Sequence, residues 1–86
     1  MPGLEKAQIM FVLARRKGNW GQKYDRLEHF KRFHHLKEII KDLEKKEWIL
    51  VKRKQNFIGI SLNTRYKKEI IEFIEKEMPH LKDILR

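Results

Sequence analysis

Cysteine is absent from the 86 residues, which excludes disulfides and every thiolate-based metal site. Glycine and proline are scarce, four and two respectively, so few positions of forced turning punctuate the chain. Serine occurs once, at Ser61, inside a stretch that reads as strand and with no plausible base beside it. Neither phosphate-cradling signature, G-x-x-x-x-G-K-[ST] or G-x-G-x-x-G, is present. The longest uncharged apolar run, residues 7–14 with Gln8 inside it, falls far short of a membrane span, and no basic-then-apolar leader precedes it. The four histidines, His29, His34, His35 and His80, match no H-E-x-x-H spacing. His34 and His35 are adjacent, so on a helix they point about 100° apart, and they read as polar or phosphate-contacting groups rather than metal ligands. These absences set the expectation: not an enzyme, no metal, no cofactor, no membrane partner, and a cytoplasmic location.

Positive charge is what the chain has in excess. Twenty-one Lys and Arg stand against twelve Asp and Glu, a formal charge of +9. The excess is uneven, because residues 1–63 carry 15 basic and 7 acidic side chains, or +8, while residues 64–86 carry 6 and 5, or +1. A basic body with a balanced tail suits a polyanion partner, nucleic acid above all. The plainer reading is a Lys-, Glu- and Ile-rich basic protein of a heat-loving organism. A chain of this length makes one domain and buries only about 60–65 % of its unfolded surface, which makes completion of the core by a second copy a reasonable expectation.

The most informative stretch is 33–62, FHHLKEIIKDLEKKEWILVKRKQNFIGISL. Leu36, Ile39, Ile40 and Leu43 recur at helical spacing and predict an amphipathic helix over about 33–47. From Trp48 the pattern changes to WILVKR and FIGISL, two runs rich in β-branched and aromatic residues separated by Lys54, Gln55 and Asn56. That pattern predicts a β-hairpin. A helix ending in LEKKEWI that feeds a hairpin with a basic tip resembles the recognition helix and wing of the winged helix-turn-helix family, in particular MarR-, ArsR- and PadR-type regulators of the archaeal kind. Leu43 to Ile49 stand for the family's LxxxGxI, Val51 to Arg53 for its basic strand end, and Ile60 to Asn63 for the closing hydrophobic-Leu-Thr. Glu47 departs from the pattern, since the family most often has Gly there to end the helix in the left-handed region. The helix is then expected to stop differently or to run a residue longer. The resemblance covers roughly residues 5–75 and implies a mainly α fold with a small β-hairpin (α+β): a three-helix core, a wing and a C-terminal helix.

Along the rest of the chain, residues 4–17 predict a first helix with Ala7, Met10, Phe11 and Ala14 on one stripe, widened by Ile9 and Leu13. Arg15, Arg16 and Lys17 in its last turn complement the helix dipole, or alternatively reach phosphates. Gly18 to Gly21 form the clearest turn. In the family this connection often supplies a short strand against the wing, which would let Trp20 cover the sheet. A second helix is expected over 24–31, with the break before the third inferred from the resemblance alone. Asn63 or Thr64 is positioned to cap a last helix from Arg65 to Glu77, which Pro79 ends or kinks. The division expected is a winged helix-turn-helix domain at 1–64 and a helical extension at 65–86. Ile70, Phe73, Ile74, Leu81, Ile84 and Leu85 are the dimer-interface candidates in that extension, with packing across the first helix of the same chain the equal alternative.

Two functions follow. The resemblance implies sequence-specific binding of double-stranded DNA by a homodimeric transcriptional regulator, with helix 33–47 in the major groove. Residues near the N-terminus of that helix would then meet base edges: His34, His35, Lys37, Glu38 and Lys41 are the candidates, Glu38 as an acceptor from cytosine N4. Lys31, Arg32, Lys45, Lys52, Arg53 and Lys54 are the candidates for phosphates, the last three because a hairpin tip has no packing need for consecutive cations. The second reading uses the same fold as a protein-protein or accessory module of a transcription, replication or RNA-handling assembly. The mixed charge of Glu38, Asp42, Glu44 and Glu47 favours that alternative.

Overall fold

The computed structural model describes residues 2–16 and 18–85. Three α-helices and a three-stranded antiparallel sheet make a small α+β unit: α1 (Pro2–Arg15), β1 (Asp25–Arg26), α2 (Leu36–Lys45), β2 (Ile49–Arg53), β3 (Ile58–Leu62) and α3 (Lys67–Glu77). Single 3-10 turns lie at Leu27–Phe30, Thr64–Tyr66 and Pro79–Leu81. The strand order is β1-β3-β2, so β3 is central and Gly59 to Leu62 are all buried.

One apolar core joins all three helices to the sheet. Ala7, Ile9, Met10 and Leu13 come from α1, Ile39, Ile40 and Leu43 from α2, Ile60 and Leu62 from β3, and Ile70 and Ile74 from α3. The wide apolar girth of α1 is explained by this arrangement, because α3 crosses it on one side while the sheet covers another. Ser61, the lone serine, is fully buried among these residues. Its Oγ accepts the Gly21 N–H at 2.7 Å, and Leu62 N–H donates to Asn19 O at 2.7 Å, so the Gly18 to Gly21 turn is tied to the end of β3. Trp20 packs against the core and its Nε1 donates to Ala14 O at 3.2 Å.

Several expectations need correction. The helix expected over 24–31 does not form. Asp25 and Arg26 are extended and pair with Ile60 and Gly59, which leaves only the Leu27–Phe30 turn before the chain bends again. Helix 33–47 is shorter than expected, because Phe33 and Leu36 N–H groups bond three residues back to Phe30 and Phe33 and regular α geometry starts only at Leu36. What precedes α2 is thus a strand and a 3-10 turn rather than a second helix, and no Gly or Pro marks the bend between that turn and α2. The first helix lies over 2–15 rather than 4–17, and Lys17 is outside the described residues.

Glu47 neither lengthens the helix nor ends it by another route. It takes φ 63° itself, with Trp48 N–H bonded to Leu43 O and Glu47 N–H to Glu44 O, each at 3.0 Å. That is the Schellman stop that glycine normally makes. Asn63 Nδ2 donates to Glu47 O at 2.9 Å and helps hold it.

The hairpin agrees closely with its sequence pattern. Register runs from Ile49 opposite Leu62 to Arg53 opposite Ile58, and Lys54 N–H closes the loop on Phe57 O at 2.9 Å. Asn63 caps the turn before α3 by accepting the Arg65 N–H at 3.1 Å, and α3 stops at Glu77, before Pro79. From the segment after Thr64, Ile70, Ile74 and Met78 belong to the one core. Ile70 and Ile74, expected at a dimer contact, are wholly buried within the chain. Phe73 meets Trp48 edge-on at 5.9 Å. Among the described residues no helix is long and apolar enough to cross a membrane.

Candidate nucleic-acid interface

The outward face of α2 follows from helix geometry. With Ile39, Ile40 and Leu43 buried, Lys37, Lys41 and Lys45 succeed one another within roughly 80° of the circumference on the opposite side, and all three are exposed, as is Glu38. The other carboxylates of this helix are turned into ion pairs. Asp42 bonds Lys6 of α1 and lies 3.4 Å from Lys46; chiefly the Lys6 contact holds its carboxyl below the usual value. Glu44 receives both Nη1 and Nη2 of Arg53, each at 2.9 Å. That fork pulls Glu44 down and Arg53 up from their ordinary values. Each pair removes a negative charge from the exposed surface of α2, and the lysines dominate what is left.

The expected contact residues are thereby divided. His34, Lys37, Glu38 and Lys41 stand exposed at and beyond the start of α2. His35 is taken by α1: its Nδ1 lies 3.0 Å from Glu5 Oε1 and its N–H donates to Glu5 Oε2 at 3.2 Å. The His35 side chain first, then its backbone N–H, lowers the Glu5 pKa. Glu5 thus sits at the N-terminal end of α2, where a carboxylate also suits the helix dipole. Lys31 and Lys45 are exposed. Arg32 donates to His29 O at 3.0 Å and lies 4.6 Å from the Phe33 ring centre.

On the hairpin, Lys52 lies over the Tyr24 ring at 4.9 Å with its side chain exposed, and Lys54 is exposed in the loop. Arg53 is the exception in that trio. Its guanidinium folds back to α2 and ties helix to hairpin. Of the last-turn cations of α1, Arg16 is bound to Asp25 at 2.6 Å and Arg15 stacks near Phe11 at 5.6 Å, so both serve local structure.

Two features were not legible beforehand. Asp25 is buried and accepts from Arg16, from the Arg26 N–H and toward His29 Nδ1 at 2.6 Å, and this joins the end of α1 to β1. Only the i, i+4 spacing of Asp25 and His29 hinted at the last contact. The second feature is a groove of about 640 Å³ between α2 and the hairpin, floored by Leu36, Ile40, Val51 and Ile58. Leu36 and Ile40 read as plain core in the sequence, yet each also faces this groove. Among the described residues no group of three or more His, Asp or Glu side chains is placed to hold a metal ion. No protein-family model, curated protein or solved structure matches the chain.

Proposed function

We propose that this protein is a winged helix-turn-helix DNA-binding protein, a transcriptional regulator that sets α2 in the major groove of a duplex and lays the β2–β3 hairpin along the backbone. One observation carries the reading: Asp42 and Glu44 are drawn into ion pairs with Lys6 and Arg53, which leaves Lys37, Lys41 and Lys45 to define the outer face of α2. The order of elements supports it, since a helix, a short strand, a turn, a second helix and a hairpin follow one another with β1 paired beside β3. Lys52 and Lys54 supply cations on the hairpin for phosphate oxygens. His34, Lys37, Glu38 and Lys41 are the residues proposed to meet base edges. Lys31, Arg32 and Lys45 flank them as phosphate contacts. A homodimer would present two copies of α2 about one helical turn of DNA apart. Its contact would draw on Ile84, 59 % exposed, with Leu81 and Leu85 beside it.

The test is selection from a random duplex pool across a salt series, with the mass of the protein in solution recorded under the same conditions. Enrichment of a palindromic site by a dimer is the expected result. Salt-sensitive binding without enrichment would replace the regulator by a non-specific DNA binder, and absence of binding at low salt would remove the DNA reading.

A further inference from the structure

The groove between α2 and the hairpin has a chemistry that duplex DNA does not match. Its floor is apolar, and it continues into a smaller hollow of about 320 Å³ that shares Leu27, Leu36 and Ile58 and adds Phe57. The two hollows adjoin across Leu27, Leu36 and Ile58 and form one continuous trough. Ile58 is 37 % exposed, although as the first residue of β3 it has Arg53 opposite it. Phosphates and base edges offer little apolar surface with which to cover such a floor.

The charges left without a partner on the rim are of one sign. Lys37 and Lys41 line the larger hollow and Lys31 the smaller, and among the described residues none of the three has a carboxylate partner. The two carboxylates on the rim are already engaged, Glu44 by Arg53 and Glu28 by Arg26. An occupant that satisfies both parts must be apolar along one side and acidic along its flanks. A second copy of this chain does not supply such a segment from α3, its most acidic helix, because Ile70, Ile71 and Ile74 are buried in the core.

We infer that the trough is a docking site for an acidic amphipathic helix of a partner protein. Apolar anchors of that helix, spaced at i, i+3 or i+4, and i+7, lie on Ile40, Val51 and Ile58. Its Asp and Glu side chains meet Lys31, Lys37 and Lys41. This inference rests on the groove's own lining and stands apart from the DNA reading. The two are connected in one respect: Lys37 and Lys41 belong to both surfaces, so such a partner and a duplex exclude one another.

The experiment presents the intact protein, with no DNA, to a displayed library of random peptides long enough for about four helical turns. Enriched peptides are expected to carry Asp and Glu around apolar residues at helical spacing. Their affinity should fall at least about tenfold for Ile58→Ser, which removes an apolar anchor without changing charge. The double variant Lys37→Glu/Lys41→Glu should lose them and select basic amphipathic peptides in their place. Melting curves of each variant establish that it is folded. Peptides that are acidic but indifferent to Ile58→Ser would reveal simple attraction to a basic protein and overturn the inference. So would peptides without acidic residues, or no enrichment over a surface without protein. Failure of DNA selection leaves all of these outcomes readable.

Discussion

Glu47 occupies a backbone conformation that costs an L-residue with a side chain about 1 kcal/mol relative to glycine. Its φ of 63° is held by the Schellman bonds of α2 and by Asn63. Glu47→Gly should therefore stabilise the fold by about 0.5–1 kcal/mol, part of the gain being offset by the freer unfolded chain. Urea denaturation measures this, and a loss of stability would mean that the Glu side chain contributes more than its backbone costs. Gly59 makes the opposite case. A Cβ there would meet Tyr24 Cβ at 3.0 Å and Phe57 Cε2 at 3.5 Å, and Tyr24 Cβ is fixed by its own backbone. Gly59→Ala is expected to destabilise by about 1–3 kcal/mol through overpacking, which the same denaturation series reads.

At the scale of elements, the relation of α2 to the hairpin is set by the Glu44–Arg53 fork. Arg53 is consequently not equivalent to Lys52 and Lys54, although the three are consecutive. On the DNA-binding reading proposed above, neutralising Lys52 and Lys54 together should shallow the salt dependence of binding by up to about 0.9 log units per lost phosphate contact. Arg53→Gln alone should change the slope less, because that charge is already neutralised by Glu44. Glu44→Gln should steepen it, since the released guanidinium becomes available to a phosphate. Binding isotherms at several salt concentrations distinguish these cases. Equal effects from all three cations would show that the fork opens on DNA.

For the whole molecule, two ion pairs and one carboxylate–histidine contact fasten α2 to its neighbours: Lys6–Asp42 and Glu5–His35 to α1, and Glu44–Arg53 to β2. In each the carboxyl pKa is lowered by its partner. A carboxyl whose folded value is depressed adds stability above its unfolded value, and that stability is lost as pH falls through the folded value. Stability should hold at neutral pH, start to decline near the ordinary values of 4.5 for Glu and 3.8 for Asp, and fall further below them. Urea midpoints measured against pH check this. Glu44→Gln should show a smaller loss over that range than the natural chain, and an equal loss would remove the fork from acid sensitivity.

Sequence by itself determined the apolar stripe of α2, the hairpin with its loop at Lys54 to Asn56, which the structure extends by Phe57, the stop before Pro79 and the basic surplus of residues 1–63. Each of these depends on local spacing, backbone preference or simple charge count, which sequence carries directly. The short strand at Asp25 and Arg26 could not be read that way, because its conformation is imposed by pairing with β3, far along the chain. Local propensity favoured a helix there. The destinations of Asp42, Glu44 and His35 were equally hidden, since partners in α1 or β2 lie 9 to 36 residues away. Only the tertiary structure decided that Arg53 turns back to α2, that Ile70 and Ile74 serve the chain's own core, and that an apolar trough opens beside Lys37 and Lys41. Side chains at fixed sequence positions acquire their charge environment from what the fold places against them.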